Sequence, residues 1–298
     1  MWRIAFGVYI AAALSAAAQV GAIPGRDLLA FPLGLTAEAA ALGTQAGNGL
    51  WNPATVVLDN DARWRLSAAA MTSPTAISVS AQVGSVAGTL KSTTLAFTFA
   101  RAAVDGLLRT DSDPQAIGND ITYSTIVLSL IAARRLSRNL AAGIALRNRS
   151  GRLDDISRTG IAIDAGVLAE HLTRLDVRAG ASSFLFSPWA GNRERTSWLL
   201  AGDARLLGED STRTIRGGYA LQVVQALSIE HFAFVSARWG PWEARGGPVR
   251  TETYGATNWR GRLGIAVRRA GYDIGISREE SASGLPATYH FALSSVIR

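Results

Sequence analysis

The side chains that could carry chemistry in this chain are few and well separated. The three histidines, His171, His231 and His290, fall in three different segments and have no carboxylate at a metal-ligand spacing. The absence of cysteine removes thiolate nucleophiles, disulfides and cysteine-based metal sites. The sequence contains no Gly-x-Ser-x-Gly elbow, no Walker loop and no His-Glu-x-x-His motif. It therefore predicts no catalytic residue, no metal site and no cofactor, and we expect a protein that is not an enzyme.

The only candidate for a cluster of functional side chains is a set of charged residues that alternate with apolar ones. If they point into the interior of a barrel, leaving them unpaired would be costly, so we expect a network of ion pairs there. Two carboxylates and a serine could also form a hydrolase site, but nothing in the spacing favours that alternative. The candidate interior charges are Arg216, Arg245, Arg260, Arg262, Asp203 and Glu230.

The overall charge is basic, with a formal net charge of +7 that comes almost entirely from arginine. The arginines are spread along the chain and form no basic run with stacking aromatic residues, so we expect no nucleic-acid partner. Arginines near a lipid boundary would instead pair with the anionic head groups of membrane lipid.

The elements that must position these residues are β-strands. Hydrophobic residues make up 48% of the chain and charged residues 18%, yet no run after the leader reaches the roughly 20 apolar residues of a transmembrane helix. From Ala62 onward apolar residues recur at every second position, and Trp259–Arg268 shows the clearest alternation. The pattern predicts an all-β fold over residues 61–298, a transmembrane antiparallel barrel of about fourteen strands. A soluble secreted β-protein is the alternative.

Two further features fit a barrel in a membrane. Aromatic residues fall near the ends of the predicted strands, as an interfacial girdle requires. They are Trp64, Trp198, Trp239, Trp242, Trp259, Tyr272 and Tyr289. The longer connections, Ala103–Asp120, Ser187–Arg195 and Ser277–Ala287, are rich in Gly, Pro, Asp, Asn and Ser and are predicted to be outward-facing loops.

The first 60 residues differ from the rest. Residues 1–22 resemble a signal peptide, with Arg3, an apolar stretch and small residues before two candidate cleavage positions, so we expect export with removal of this segment. Thr36–Gly43 predicts a short helix, with Thr36 as its cap and Gly43 at its end. Pro53 fixes its own φ and disfavours helix at Asn52, which predicts a turn before the first strand.

The helix signal followed by Trp51, Asn52, Pro53 and Ala54 resembles the PorV/PorQ family of outer-membrane proteins, a branch of the FadL-like barrels. In that family a small-Ala-x-x-Leu-Gly segment, here within Ala37–Gly43, precedes an Asn-Pro-Ala close to the first strand. The last third, from His231-Phe232 to Gly264–Tyr272, is similar as well. The chain departs from the family at Thr55-Val56-Val57, where Gly-Leu is usual, and at its non-aromatic last residue.

The resemblance implies a fourteen-strand barrel in the cell outer membrane, with residues 23–60 folded into the lumen as a hatch. The Trp51–Ala54 turn would then be the pivot between hatch and wall. FadL-like members are passive conduits for hydrophobic or amphipathic small molecules, and we take this as the leading prediction. PorV-like members instead receive exported proteins beside a type IX secretion system, so secretion components are the alternative partners.

Overall fold

The chain forms a closed antiparallel β-barrel in the computed structural model, which describes residues 22–29, 33, 35–43, 49–58, 62–73, 78–107, 121–189, 194–208, 212–253, 255–280 and 287–298. Fourteen strands occur within these ranges, each paired with its neighbours along the chain, and β14 closes the barrel on β1. The closing ladder runs from Trp64–Ile297 to Thr72–Tyr289. No helix among the described residues is long and apolar enough to cross a membrane.

The strands match the predicted fold class and number. They are β1 (Trp64–Thr72), β2 (Val79–Leu90), β3 (Thr93–Leu107), β4 (Ile121–Ser137), β5 (Leu140–Leu153), β6 (Ile156–Ala169), β7 (Arg178–Phe184), β8 (Ser197–Leu207), β9 (Arg213–Val224), β10 (Ser228–Trp239), β11 (Trp242–Thr253), β12 (Ala256–Arg269), β13 (Tyr272–Glu279) and β14 (Thr288–Ile297).

The two ends of the barrel differ. At one end, here called the turn end, short turns such as 91–92, 138–139, 240–241 and 270–271 join the strands. At the other, the loop end, lie the ends of β3, β7 and β13 and the starts of β4, β8 and β14. The three predicted long loops fall between these strands, and most of their residues lie outside the described ranges.

The outer surface is apolar, as period-two alternation requires. Ile144, Val167, Leu263 and Ile274 are among many large hydrophobic side chains that point outward and are 44–61% exposed. The predicted aromatic residues are all exposed as well, four of them at the turn end: Trp64, Trp239, Trp242 and Tyr272. A soluble protein would hold this surface in water at high cost, so the alternative of a soluble secreted β-protein is disfavoured.

Strand β2 reverses the expected polarity. Its apolar residues Ala81 and Val83 point inward and are buried, whereas Gln82 is exposed. The reason is that the lumen beside β2 is itself apolar, because Leu28, Leu33 and other inner residues pack there with Val83. In this part of the wall the lumen-facing residues are therefore apolar.

The described residues between 22 and 58, here called the inner segment, lie inside the barrel. The segment enters at the loop end, where the Ala22 carbonyl accepts a hydrogen bond from Arg158, and reaches the turn end, where Leu58 contacts Thr94. Asp27–Leu29 and Pro53–Val56 form short 3-10 helices. The predicted signal peptide falls almost wholly on residues outside the described ranges.

The predicted helix at Thr36–Gly43 is absent from the described residues 35–43, which is a correction. Ala37 adopts φ 57°, which breaks a right-handed helix, and the stretch contains only a turn closed by the hydrogen bond from Leu42 N to the Ala39 carbonyl. Glu38 forms an ion pair with Arg245 on β11. These bonds to the wall replace the bonds that a helix would have made within itself.

Candidate functional site

The barrel wall is interrupted between β6 and β7. Among the described residues the β6–β7 ladder runs only from Gly166–Ser182 to Ala169–Ala179, whereas β5 and β6 pair over their whole length. Beyond Phe184 the chain turns away at Leu185, which has φ 60°. One bond, from Ile163 N to the Phe186 carbonyl at 2.8 Å, continues toward the loop end. We call this interruption the seam.

Asp164 closes the seam from within. Its carboxylate accepts hydrogen bonds from the backbone N–H groups of Leu185 at 3.0 Å and Phe186 at 2.9 Å. The same carboxylate forms an ion pair with Arg147 on β5, and both side chains are 0% exposed. A fully buried carboxylate requires such partners, so the side chain of Asp164 supplies the hydrogen-bond acceptors that a regular strand ladder would have supplied.

The predicted pivot residues lie directly behind the seam. Trp51 is fully buried, packs on Phe184 with the ring centroids 4.7 Å apart, and donates from Nε1 to the Leu33 carbonyl. Its own carbonyl accepts a hydrogen bond from Ser182 at 2.9 Å. Asn52 donates from Nδ2 to the Val167 carbonyl at 3.0 Å, so the inner segment is bonded to both strands of the seam.

Asn52 also organises the inner segment itself. Its Nδ2 donates to the Ala41 carbonyl at 2.7 Å, and its Oδ1 accepts from Ala54 N at 3.0 Å, which caps the 3-10 helix at Pro53–Val56. An amide side chain has both donor and acceptor, and here both are used. The Asn-Pro-Ala tripeptide therefore acts as a cap and a tether in one.

Glycines on the inner face let the segment approach the wall. A Cβ at Gly143 would fall 2.6 Å from the Pro53 carbonyl carbon, and one at Gly166 would collide with the Asn52 side chain. A Cβ at Gly180 would likewise collide with the Ala41 carbonyl. These three glycines lie on adjacent strands β5, β6 and β7 and form a cradle under the pivot.

An apolar hollow of about 800 Å³ lies over the seam on the outer surface. Small side chains such as Ala165 and Ala181 form its floor, and Ile144, Val167 and Trp198 its sides. Trp198 packs at 6.2 Å against Phe186, the residue that follows the break in β7. The seam thus has an apolar outer surface on one side and the bonded inner segment on the other.

The predicted interior charges point into the lumen, and all of them except Arg245 fall into two groups. Arg260 and Arg262 on β12 share the carboxylates of Glu230 and Glu279, with Arg262 Nη2 3.0 Å from Glu230 and Nε 2.9 Å from Glu279. Arg262 also lies over the Phe232 ring. The group is compact and every charge in it has a partner, as ion pairing predicts.

The second group joins β7, β8 and β9. Asp203 accepts hydrogen bonds from Arg178 at 3.0 Å and Arg216 at 2.8 Å, and Arg216 also reaches Asp176 at 2.6 Å. Burial would raise the pKa of the Asp176 carboxyl, but the hydrogen bond and charge of Arg216 outweigh burial and hold that pKa below its usual range. Arg245, the remaining predicted charge, binds Glu38 of the inner segment and Glu243.

Two ionic groups were missed from the sequence. At the loop end Glu194 binds Arg149 at 2.9 Å and lies 3.8 Å from Arg26, and burial lowers the pKa of Arg26 to about 10 despite Glu194. The second group that was missed is the ion pair between Arg147 and Asp164. Because the partners are 17 to 168 residues apart, spacing could not reveal them; charges on the inner face were the only signal.

The histidines are not brought together. His171 bonds Asp176, His231 bonds Tyr219, and His290 is buried on β14. Within the described ranges no group of three metal-ligating side chains occurs.

Structural comparison places this barrel among known ones. The CymD monoaromatic hydrocarbon channel superposes with a TM-score of 0.61 at 11% identity, covering 89% of this chain and 98% of that one. The Ralstonia pickettii toluene transporter TbuX gives 0.56 at 12% identity, with coverage of 89% and 99%. This chain has the FadL-type barrel fold. A third FadL-type barrel, the Pseudomonas putida toluene transporter TodX, gives 0.53 at 11% identity, with coverage of 93% and 98%.

The FadL-type likeness is one of fold, because sequence identity is low in every pair. No family model matches the chain, and the search of curated proteins finds no match. The PorV/PorQ assignment therefore stays a prediction, whereas the barrel architecture that it implied is confirmed.

Proposed function

We propose that this protein is an outer-membrane barrel that passes hydrophobic or amphipathic small molecules without an energy source. The observation that carries the proposal is the seam, where a break in the wall has an apolar hollow outside and the bonded inner segment behind it. The known barrels of this fold are described as a monoaromatic hydrocarbon channel and toluene transporters, which supports small apolar cargo.

The geometry supports a sideways route at the seam. An apolar molecule in the lumen gains nothing by entering the water beyond the turn end, but it can partition into lipid through an apolar hollow. Passage requires that Phe186 and the side chains around Asp164 move, since the seam is closed in this structure. The inner segment would have to shift with them, because Trp51 and Asn52 bond both strands of the seam.

Membership of the PorV/PorQ family and service as a type IX secretion partner are weaker proposals. They rest on the short sequence resemblance, and no surface of the described residues adds an observation in their favour. The signal peptide also remains an expectation, and the proposed outer-membrane location depends on it.

The test is to lock the seam with a reversible cross-link. Because the natural chain has no cysteine, an Ile163→Cys/Phe186→Cys double variant can be joined by a short bifunctional reagent with a cleavable disulfide. In liposomes, cross-linking should abolish toluene flux through the protein, and reduction should restore it. The matched control is Ile265→Cys/Ile276→Cys, which spans the intact β12–β13 ladder on the outer surface, away from the hollow.

Equal flux through locked and unlocked seam would rule out the sideways route. Absence of flux in the unmodified protein, under conditions where gel mobility shows a folded barrel, would rule out the conduit itself.

A further inference from the structure

The lumen beyond the inner segment opens into a chamber at the turn end. It consists of two adjoining cavities of about 590 and 450 Å³, which share Glu170 and Arg268 in their walls. Ala54, Thr55 and Val57 of the inner segment line one of the cavities. Volumes of this size are typical of small-molecule sites.

The wall of this turn-end chamber carries a belt of arginines. Each of the six consecutive strands β7 to β12 contributes one: Arg178, Arg205, Arg216, Arg238, Arg245 and Arg268. A seventh, Arg174, comes from the β6–β7 connection. The repetition across strands places guanidinium groups around one space, and the planar fork of N–H donors on each guanidinium matches the oxygens of a carboxylate or a phosphate.

Positive charge exceeds negative charge in this chamber. Among the described residues eleven arginines line the two cavities, against six carboxylates when Asp203 and Glu38, which bind belt arginines from outside the lining, are included. Walls of low dielectric constant strengthen the field of such an excess. The described lining of the chamber therefore carries an excess of positive charge.

A carboxylate from outside the lining already shows how a ligand would bind to an arginine of the belt. Glu38 Oε1 of the inner segment lies 2.7 Å from Arg245 Nη1, although Arg245 also contacts Glu243 at 2.5 Å. Arg238 on the neighbouring strand makes a 3.3 Å bond to the Gly240 carbonyl and forms no ion pair within 4.0 Å in the described part of the chain. Arg174 also lines the chamber and is exposed to solvent.

We propose that the turn-end chamber is a binding site for a small solute that carries an oxyanion, a carboxylate or a phosphate. Arg238 and Arg174 would contact it, with the paired arginines of the belt supplying the surrounding field. This goes beyond the conduit proposal, which concerns apolar cargo and the seam, and neither of these arginines lies at the seam.

The test measures binding to the full-length barrel in detergent by calorimetry. Benzoate should bind and its neutral analogue benzamide should not, and the benzoate affinity should fall with added salt. Arg238→Gln and Arg174→Gln should each weaken benzoate binding about tenfold, the usual effect of losing one charge-assisted hydrogen bond. Arg278→Gln removes the same charge at the loop end and should leave the affinity unchanged.

Two further binding measurements define the chemistry of the site more closely. Inorganic phosphate in place of benzoate separates phosphate-bearing from carboxylate-bearing solutes, and binding of either one supports the site. Glu38→Gln removes the internal competitor for Arg245 and should tighten benzoate binding several-fold.

Equal binding of benzoate and benzamide, binding of neither anion, or equal losses in Arg238→Gln and Arg278→Gln would overturn the proposal. Gel mobility with and without boiling shows that each variant is folded. Toluene flux through Arg238→Gln should equal that of the natural protein, so a failure of the chamber and a failure of the conduit give different results.

Discussion

The carboxylate of Asp164 accepts a hydrogen bond at 2.9 Å from the backbone N–H of Phe186, across the break between β6 and β7. A side chain thus completes the wall where strand pairing ends. The same carboxylate neutralises Arg147, so closure of the seam and the charge balance of the lumen depend on one residue.

Asp164→Asn should lower the free energy of unfolding by about 3–5 kcal/mol, because it leaves the guanidinium of Arg147 buried without a counter-charge. Urea unfolding followed by tryptophan fluorescence measures the change. Glu252→Gln is the matched control: it breaks an exposed pair with Arg250, where the loss should stay below about 1 kcal/mol. Similar losses in both variants would contradict the role of Asp164.

Gly166→Ala should loosen the inner segment, since the new Cβ would collide with the Asn52 side chain that tethers the segment to β6. We expect a cost of about 1–3 kcal/mol from this overpacking and a faster flux of a hydrophobic dye into liposomes. Gly84→Ala introduces the same methyl group where no atom lies within 4 Å and should change neither quantity. An unaltered flux in Gly166→Ala would count against the tether.

Leu263→Arg tests the lipid-facing surface. Leu263 points outward in the middle of β12, so a charge there should cost about 2–4 kcal/mol of stability in a bilayer. Tyr272→Arg at the turn-end rim should cost about 0–1 kcal/mol, because the head-group region tolerates arginine. The measurement is unfolding from liposomes, and equal costs at the two positions would be inconsistent with a membrane-spanning wall.

The contribution of Asp176 to the free energy of unfolding should depend on pH in a defined direction. Its folded-state pKa lies below the ordinary value of 3.8, so its contribution to stability is complete above that pH and is lost as the pH falls through the lower folded-state pKa. The stability difference between the natural protein and Asp176→Asn should therefore be constant near neutral pH and shrink in acid. Unfolding curves at pH 6 and pH 3 check this, and a difference that stays constant would disprove it.

The strands of the wall were predictable from the sequence, and the local course of the inner segment was not. In the wall each residue faces either lipid or lumen, so strands such as β5 and β12 appear as simple alternation. The course of residues 35–43 depends instead on bonds to remote partners, such as Glu38 to Arg245, which local helix propensity cannot include. The reversal of β2 has the same cause, because the polarity of the lumen there is set by the inner segment.

The candidate site was also predictable only in part. Trp51, Asn52, Pro53 and Ala54 were selected from the sequence because they carry the PorV/PorQ resemblance and contain a proline-forced turn before the first strand. Their bonds to Ser182 and Val167 come from folding around a break in the wall, which no local pattern shows. The glycines at 143, 166 and 180 were visible as strand glycines, but their alignment on neighbouring strands depends on register.

The path of the inner segment also sets the order of assembly. The chain passes through the lumen from Ala22 at the loop end to Leu58 near the turn end before β1 begins, and β1 pairs with the last strand. Joining β1 to β14 is thus the step that encircles the segment. A barrel that closed first would have to thread its own N-terminal residues through a finished ring, whereas docking of the segment on β5–β7 before or during closure avoids that step.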